Sequence, residues 1–248
     1  MAKSTEASRG DLGLRVYLAW SRDPAVGLFA VLPLWLVYQA LRATLAPDER
    51  NGAEILLLRE LDRVGSHGHL VLSIAFAVLT AASAWSLVQR RVPWLRVAGV
   101  VGLEGTVYAL MLGPLASALT TSASALLDAA AHRGQLAQNL VGSLGAGIYE
   151  ELVFRLGLMS VLVWLGMRAV AAWSLPKWVA GGMAVVVSAL AFSWFHHLCG
   201  EPFDRTRFVF RTMAGVLLGG LMWGRGYGVC VYTHTIYNLY FYLATHGR

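Results

Sequence analysis

Charge is scarce in this chain. Only 14% of its 248 residues are Asp, Glu, Lys or Arg, where soluble domains carry about 25%. That deficit excludes an ordinary soluble globular surface. Lysine is nearly absent, with Lys3 and Lys177 the only two, so the formal charge of +6 rests on arginines scattered between apolar runs. They form no stripe or block, which excludes a nucleic-acid-binding face. Two cysteines, Cys199 and Cys230, are too few for a disulfide framework. No cleavable signal peptide is expected, because residues 1–24 are mostly polar and the first apolar stretch, too long for a signal core, reads as a retained span. It also lacks an internal repeat, a low-complexity tract and a His-Glu-x-x-His zinc motif.

What is present is hydrophobic: 57% of the residues, with a mean hydropathy of +0.57. The fold class expected is all-α, a polytopic membrane helical bundle of about seven spans. The expected spans are 25–41, 70–88, 97–119, 141–167, 178–198, 207–223 and 228–245. Pro33 falls inside the first, where a membrane helix tolerates a kink. The connection 42–69 is polar and suits a short interfacial helix, and residues 120–140 suit a loop with one surface helix. Gly215-x-x-x-Gly219 and Gly220-x-x-x-Gly224 each invite a neighbouring helix to approach closely. Nine Trp and nine Tyr suit the headgroup level. The whole reads as a single integral-membrane domain, 1–248, with a polar segment 1–24 and core helices within 140–245. Arginines near the first two spans favour a cytoplasmic N-terminus. The excess of Arg over Lys, with abundant Ala, Gly, Leu and Val, fits a bacterial inner-membrane protein from a GC-rich genome.

Against this background the polar residues stand out. Glu150, Glu151 and Arg155 lie within six residues inside an apolar span. One charged side chain near the bilayer centre costs at least ~2.5–3.5 kcal/mol on insertion scales, so such residues mark function by default. Glu151 and Arg155, four apart, share a helix face and pair. Glu150 points about 100° away and is not consumed by Arg155. It suits a general base, with His196 as the partner that shares a water. His234 and Asn238, also four apart, offer two aligned donors of the kind an oxyanion hole uses. His196 lies near the end of its span while the others lie inside theirs. They meet only if the centre is off the midplane or if that helix continues past His197.

Taken in order, Glu150-Glu151-x-x-x-Arg155, Phe192-x-x-x-His196 and His234-x-x-x-Asn238 resemble the CAAX protease and bacteriocin-processing family of glutamate-type intramembrane endopeptidases. The resemblance covers roughly residues 140–245. It implies an integral-membrane endopeptidase in which Glu150 and His196 activate water and His234 with Asn238 holds the oxyanion. It implies no cofactor and no required metal. The expected partners are the lipid bilayer and a membrane-anchored or C-terminally tagged protein or peptide, with no nucleic acid. Processing of C-terminal sorting signals is one such activity.

Other readings stay open at this stage. One Glu and two His also satisfy an open zinc site, and intramembrane polar residues also line transport paths or serve scaffolds and immunity proteins. Glu104 either lines the cavity or is a structural acid. His67 and His69 read as loop residues rather than ligands, and His197 as structural. Cys230 and His234 are spaced for a nucleophilic dyad, a reading that leaves Glu150 and His196 without a role. Ser143 lacks a serine-protease context.

Overall fold

The structure is a computed structural model that describes residues 13–43, 51–63, 65, 67–120 and 136–246. Of the loop and surface helix expected at 120–140, residues 121–135 lie outside the described residues, as do the first twelve residues and Arg50, and 136–140 already belong to a helix. Helix α1 spans Leu14–Ser21, α2 Pro24–Arg42, α3 Gly52–Asp62, α4 Gly68–Gln89 and α5 Trp94–Thr120. Helix α6, Leu136–Gly145, runs without a break into a π-helix, Ala146–Met159, and then into α7, Ser160–Ala172. Helices α8 Lys177–Leu198, α9 Arg205–Arg225 and α10 Tyr227–His246 complete the chain. Every regular element among the described residues is helical.

Local chemistry sets the ends. Pro24 occupies the first turn of α2, where its missing N–H costs nothing, and the Asp23 carboxylate caps Ala25 N at 2.9 Å. Arg90 in turn donates to Asp23, tying the end of α4 to the start of α2. The Asn51 side chain caps α3 at Ala53 N, 2.9 Å, and Asp204 caps α9 at Arg207 N, 2.8 Å. Gly226 alone separates α9 from α10. Its φ of +94° is open to glycine, and an added Cβ there would lie 2.4 Å from Ser21 O.

Five segments are long and apolar enough to cross a membrane: Pro24–Arg42, Gly68–Gln89, Trp94–Leu119, Gln138–Ala172 and Lys177–Leu198. They match the first five expected spans to within a few residues. Helices α9 and α10 fall outside this set, so the count of seven does not follow from length and composition. The reason is polarity. Helix α9 carries Arg205, Arg207, Arg211 and Arg225, and α10 carries His234, Asn238 and several tyrosines. Helix α10 packs against α2, α5, α6, α9 and the π-helix. Its Val229, Cys230, Val231, Thr233 and Thr235 are fully buried. A helix covered by protein tolerates polar groups that lipid would not. Leu70, Val78 and Trp85 of α4, Leu103 and Leu110 of α5, and Trp178 and Met183 of α8 are instead exposed, as a lipid-facing belt requires.

Close helix approaches rest on small residues. Added Cβ atoms at Gly215 and Gly219 would meet Ala189 and Val185 of α8 at 3.0 Å, so the first small-residue motif works as expected. Gly220 and Gly224 face open space, so the second motif forms no such contact.

Candidate active site

The π-helix is the element that builds the centre. Its i→i+5 pattern widens the turn and is found at functional sites in other proteins. It presses directly on α10: a Cβ on Gly147 would fall 1.8 Å from Thr235 Oγ1. That approach brings the next turn of the π-helix, with Glu150 and Glu151, against His234. Both carboxylates are buried, as is Arg155.

The two glutamates have different surroundings. Glu151 is saturated. His234 Nδ1 lies 2.7 Å from its Oε1, Arg155 Nη1 lies 3.2 Å from the same oxygen, and the Cys230 thiol donates to Oε2 at 2.9 Å. The Arg155 contact is close but is not aligned as a hydrogen bond. Its Nη2 reaches Gly215 O at 3.4 Å, and its guanidinium lies 4.3 Å above the Phe192 ring. Arg155 thereby ties the π-helix to α8 and α9. Glu150 has a tight partner in the Asn51 amide, which donates to Oε1 at 2.8 Å. Two imidazoles approach it loosely: His196 Nε2 is 3.9 Å from Oε1 and His234 Nε2 is 3.9 Å from Oε2.

Hydrogen bonding fixes both rings. His196 Nδ1 lies 2.9 Å from Phe192 O, and a carbonyl only accepts, so Nδ1 carries the hydrogen. Its Nε2 lone pair then faces Glu150. His234 Nδ1 donates to the Glu151 carboxylate, so its Nε2 is a donor only in the imidazolium form. Phe192 forms the apolar floor, edge-on to His196 at 4.9 Å and to His234 at 6.0 Å between centroids.

A cavity of about 430 Å³ opens over this group, lined by Glu150, His196, His234 and Asn238. Asn51, Glu201, Arg207 and Arg211 also line it. His196 sits in the last turn of α8, and Asn51 sits at the start of α3. The centre therefore lies near the C-terminal end of α8, which stops at Leu198 rather than continuing, and beside the middle of α10. The Glu201 carboxylate on this rim takes two hydrogen bonds from Arg211, at 2.6 and 2.9 Å. Partial burial pushes its pKa up, but the Arg211 bonds outweigh burial and hold the carboxyl below the usual carboxylate range.

The remaining candidates separate from the site. Glu104 pairs with Arg225, whose Nη2 lies 2.8 Å away, and accepts from Tyr17, at the other end of the bundle. It is a structural acid and does not line the cavity. Cys230 points at Glu151 and at Leu218 O, 3.2 Å, so no thiol–imidazole dyad forms with His234. Ser143 donates to Asn139 O at 2.7 Å. His197 packs among Trp194, Phe203 and Phe208. His67 stands at the N-terminus of α4. Among the described residues no three His, Cys, Asp or Glu side chains group as a metal-holding set. Sequence reasoning missed Asn51, the Cys230 contact to Glu151, and the Glu201–Arg211 pair on the rim.

Fold and site together define an all-helical membrane protein with an acid–imidazole centre open to a cavity. Residues 132–240, somewhat under half of the chain, match the family model of the type II CAAX prenyl endopeptidases, Rce1-like. This stretch contains Glu150, Glu151, Arg155, Phe192, His196, His234 and Asn238. The match makes this stretch similar to the type II CAAX prenyl endopeptidases. No curated protein and no solved structure matches the chain.

Proposed function

We propose that the protein is a glutamate-type intramembrane endopeptidase of the bacterial inner membrane. In this reading Glu150 and His196 Nε2 share a water, Glu150 takes its proton, and the hydroxide attacks the scissile carbonyl. His234, as imidazolium against the Glu151 carboxylate, and the Asn238 amide donate to the developing oxyanion. Glu151 and Arg155 hold the frame. The observation that carries the reading is the asymmetry of the glutamates: Glu151 is spent on His234, Arg155 and Cys230, while Glu150 keeps acceptor capacity toward the cavity and both Nε2 atoms. The substrate class is a membrane-anchored or C-terminally tagged protein or peptide, with C-terminal sorting signals as one case. The full chain, 1–248, acts as a single unit in this reading.

The test compares wild type with Glu150→Gln, His196→Ala and Glu151→Gln in the native host, with membrane-protein termini mapped by mass spectrometry. Unprocessed termini should accumulate in the Glu150 and His196 variants while the protein stays folded. Identical termini, with the wild-type phenotype intact, would instead assign these residues to transport or scaffolding. One observation favours a second, zinc-dependent reading: both rings tie Nδ1 to an oxygen and present Nε2, as metal-binding histidines do. Loss of processing on chelation, restored by zinc, would establish it.

A further inference from the structure

Asn51 lies outside the stretch that matches the family model, 99 residues from Glu150 in the chain, yet it makes a tight hydrogen bond to Glu150. Its amide is used at both ends. Oδ1 accepts from Ala53 N at 2.9 Å, closing the first turn of α3. Because Oδ1 is committed to the cap, the amide group cannot flip, and Nδ2 is the atom presented to Glu150 Oε1 at 2.8 Å. The backbone around it is wedged. A Cβ on Gly145 would meet Asn51 Cβ at 2.9 Å and the Tyr38 ring at 3.0 Å, so α6 comes down on Asn51 just before Glu150. A Cβ on Gly52 would meet Cys199 Sγ at 3.3 Å, just past the end of the helix that carries His196.

Helix α3 is itself pinned from below. Glu54, in its first turn, is fully buried, with Arg42 Nη1 at 2.8 Å and the Tyr38 hydroxyl donating to it. A buried acid is costly unless paired, so its pairing with Arg42 at the end of α2 fixes α3 in place. Tyr38 also packs edge-on against Tyr149, the neighbour of Glu150, at 5.3 Å between centroids. The short helix is thus joined on one side to α2 and on the other to the π-helix, with Asn51 at the junction.

We infer that Asn51 is a positioning residue of the centre: its amide N–H holds Oε1 of Glu150 and so aims the carboxylate at the shared water site. This rests on the protease reading for its consequence, though not for its geometry. The hydrogen bond leaves Oε2 directed to His234 and keeps Oε1 within range of His196. Without it the buried carboxylate is free to rotate, and displacement of a catalytic group by about 1 Å can cost 10²-fold in rate.

The two functions of the side chain separate cleanly by substitution. Asp and Ser cap a helix about as well as Asn, but neither presents an amide donor to Glu150. We would express Asn51→Asp and Asn51→Ser as full chains, check thermal melting in detergent, and measure two signals. The first is processing, as the abundance of those termini that depend on Glu150. The second is the carboxylate stretch of Glu150 in infrared difference spectra, identified by subtracting Glu150→Gln. The expected result is unchanged melting, a shifted carboxylate band and processing reduced about 10- to 100-fold in both variants. An unchanged band with normal processing would leave Asn51 as a helix cap alone and overturn the inference. A shifted band with normal processing would overturn it too, since holding Glu150 would then be idle. A shifted band in a protein whose termini never depended on Glu150 would retain the hydrogen bond as the holder of Glu150 while removing the protease reading.

Discussion

Two charged clusters stand at opposite ends of the same bundle, and they treat charge differently. At one end a single carboxylate, Glu104, meets a single guanidinium, Arg225, in a two-point contact, with Tyr17 donating to the acid. Opposite charges match one to one. At the other end Arg155 pairs with Glu151, which also meets His234 and a thiol, while Glu150 faces two imidazoles and an amide and has no guanidinium paired with it among the described residues. A matched pair fixes helices and leaves no proton to move. An unmatched acid held against two titratable rings and a cavity is equipped for proton transfer. The two clusters differ in acceptor capacity left facing a cavity, and on the proposed function that difference, rather than buried charge by itself, separates a site from a framework.

The sharpest way to break this contrast is the same substitution at both ends. Glu150→Gln should abolish processing, a loss of about 10²–10⁴-fold for a general base, and leave melting near wild type. Glu104→Gln should do the reverse, keeping processing and lowering stability by about 1–3 kcal/mol, because Arg225 loses the charge of its carboxylate partner. Equal loss of processing in both would erase the distinction. Next comes the framework at the active end. Arg155→Ala leaves Glu151 buried against His234 without its cation, and breaking a buried pair from one side costs about 3–5 kcal/mol. Thermal melting reads this directly, and a variant as stable as wild type would mean that the His234 and Cys230 contacts suffice.

The smallest effect belongs to the rim. The Glu201 carboxyl is held below its usual range, so the stability it contributes is complete above its unfolded pKa of about 4.3 and is lost as pH falls through the lower folded value. Wild type should therefore lose melting temperature more steeply than Glu201→Gln as pH drops from 5 to 3. The pair is partly exposed, with side chains 21% and 28% accessible, so the difference should be about 1 kcal/mol or less. Parallel pH profiles would show that the pair contributes nothing measurable.

Much of the centre was legible because polar residues inside apolar runs need a reason to be there. Glu150, Glu151, Arg155, His196, His234 and Asn238 all announced themselves that way, and the i,i+4 pairing of Glu151 with Arg155 came with helix geometry. Asn51 gave no such signal: an asparagine in a polar connection is unremarked until folding brings it to Glu150. The π-helix was equally silent, since its backbone pattern leaves no mark on residue type, and a plain α-helix was the natural expectation. Span composition was plain where lipid sets it and less so where protein does, which is why α10, enclosed by its neighbours, falls outside the set of helices apolar enough to span. Glu104 carried the same signal as Glu150, and only its partners told the two acids apart.

His196 in the last turn of α8 has a further consequence. A helix end leaves its final four carbonyls without intrahelical partners. A substrate helix that lies alongside α8 at matching depth would present such a frayed end to Glu150, already unwound and already accessible to interfacial water. On the proposed chemistry such a substrate would need no separate unwinding step, and cleavage would follow where its transmembrane segment stops.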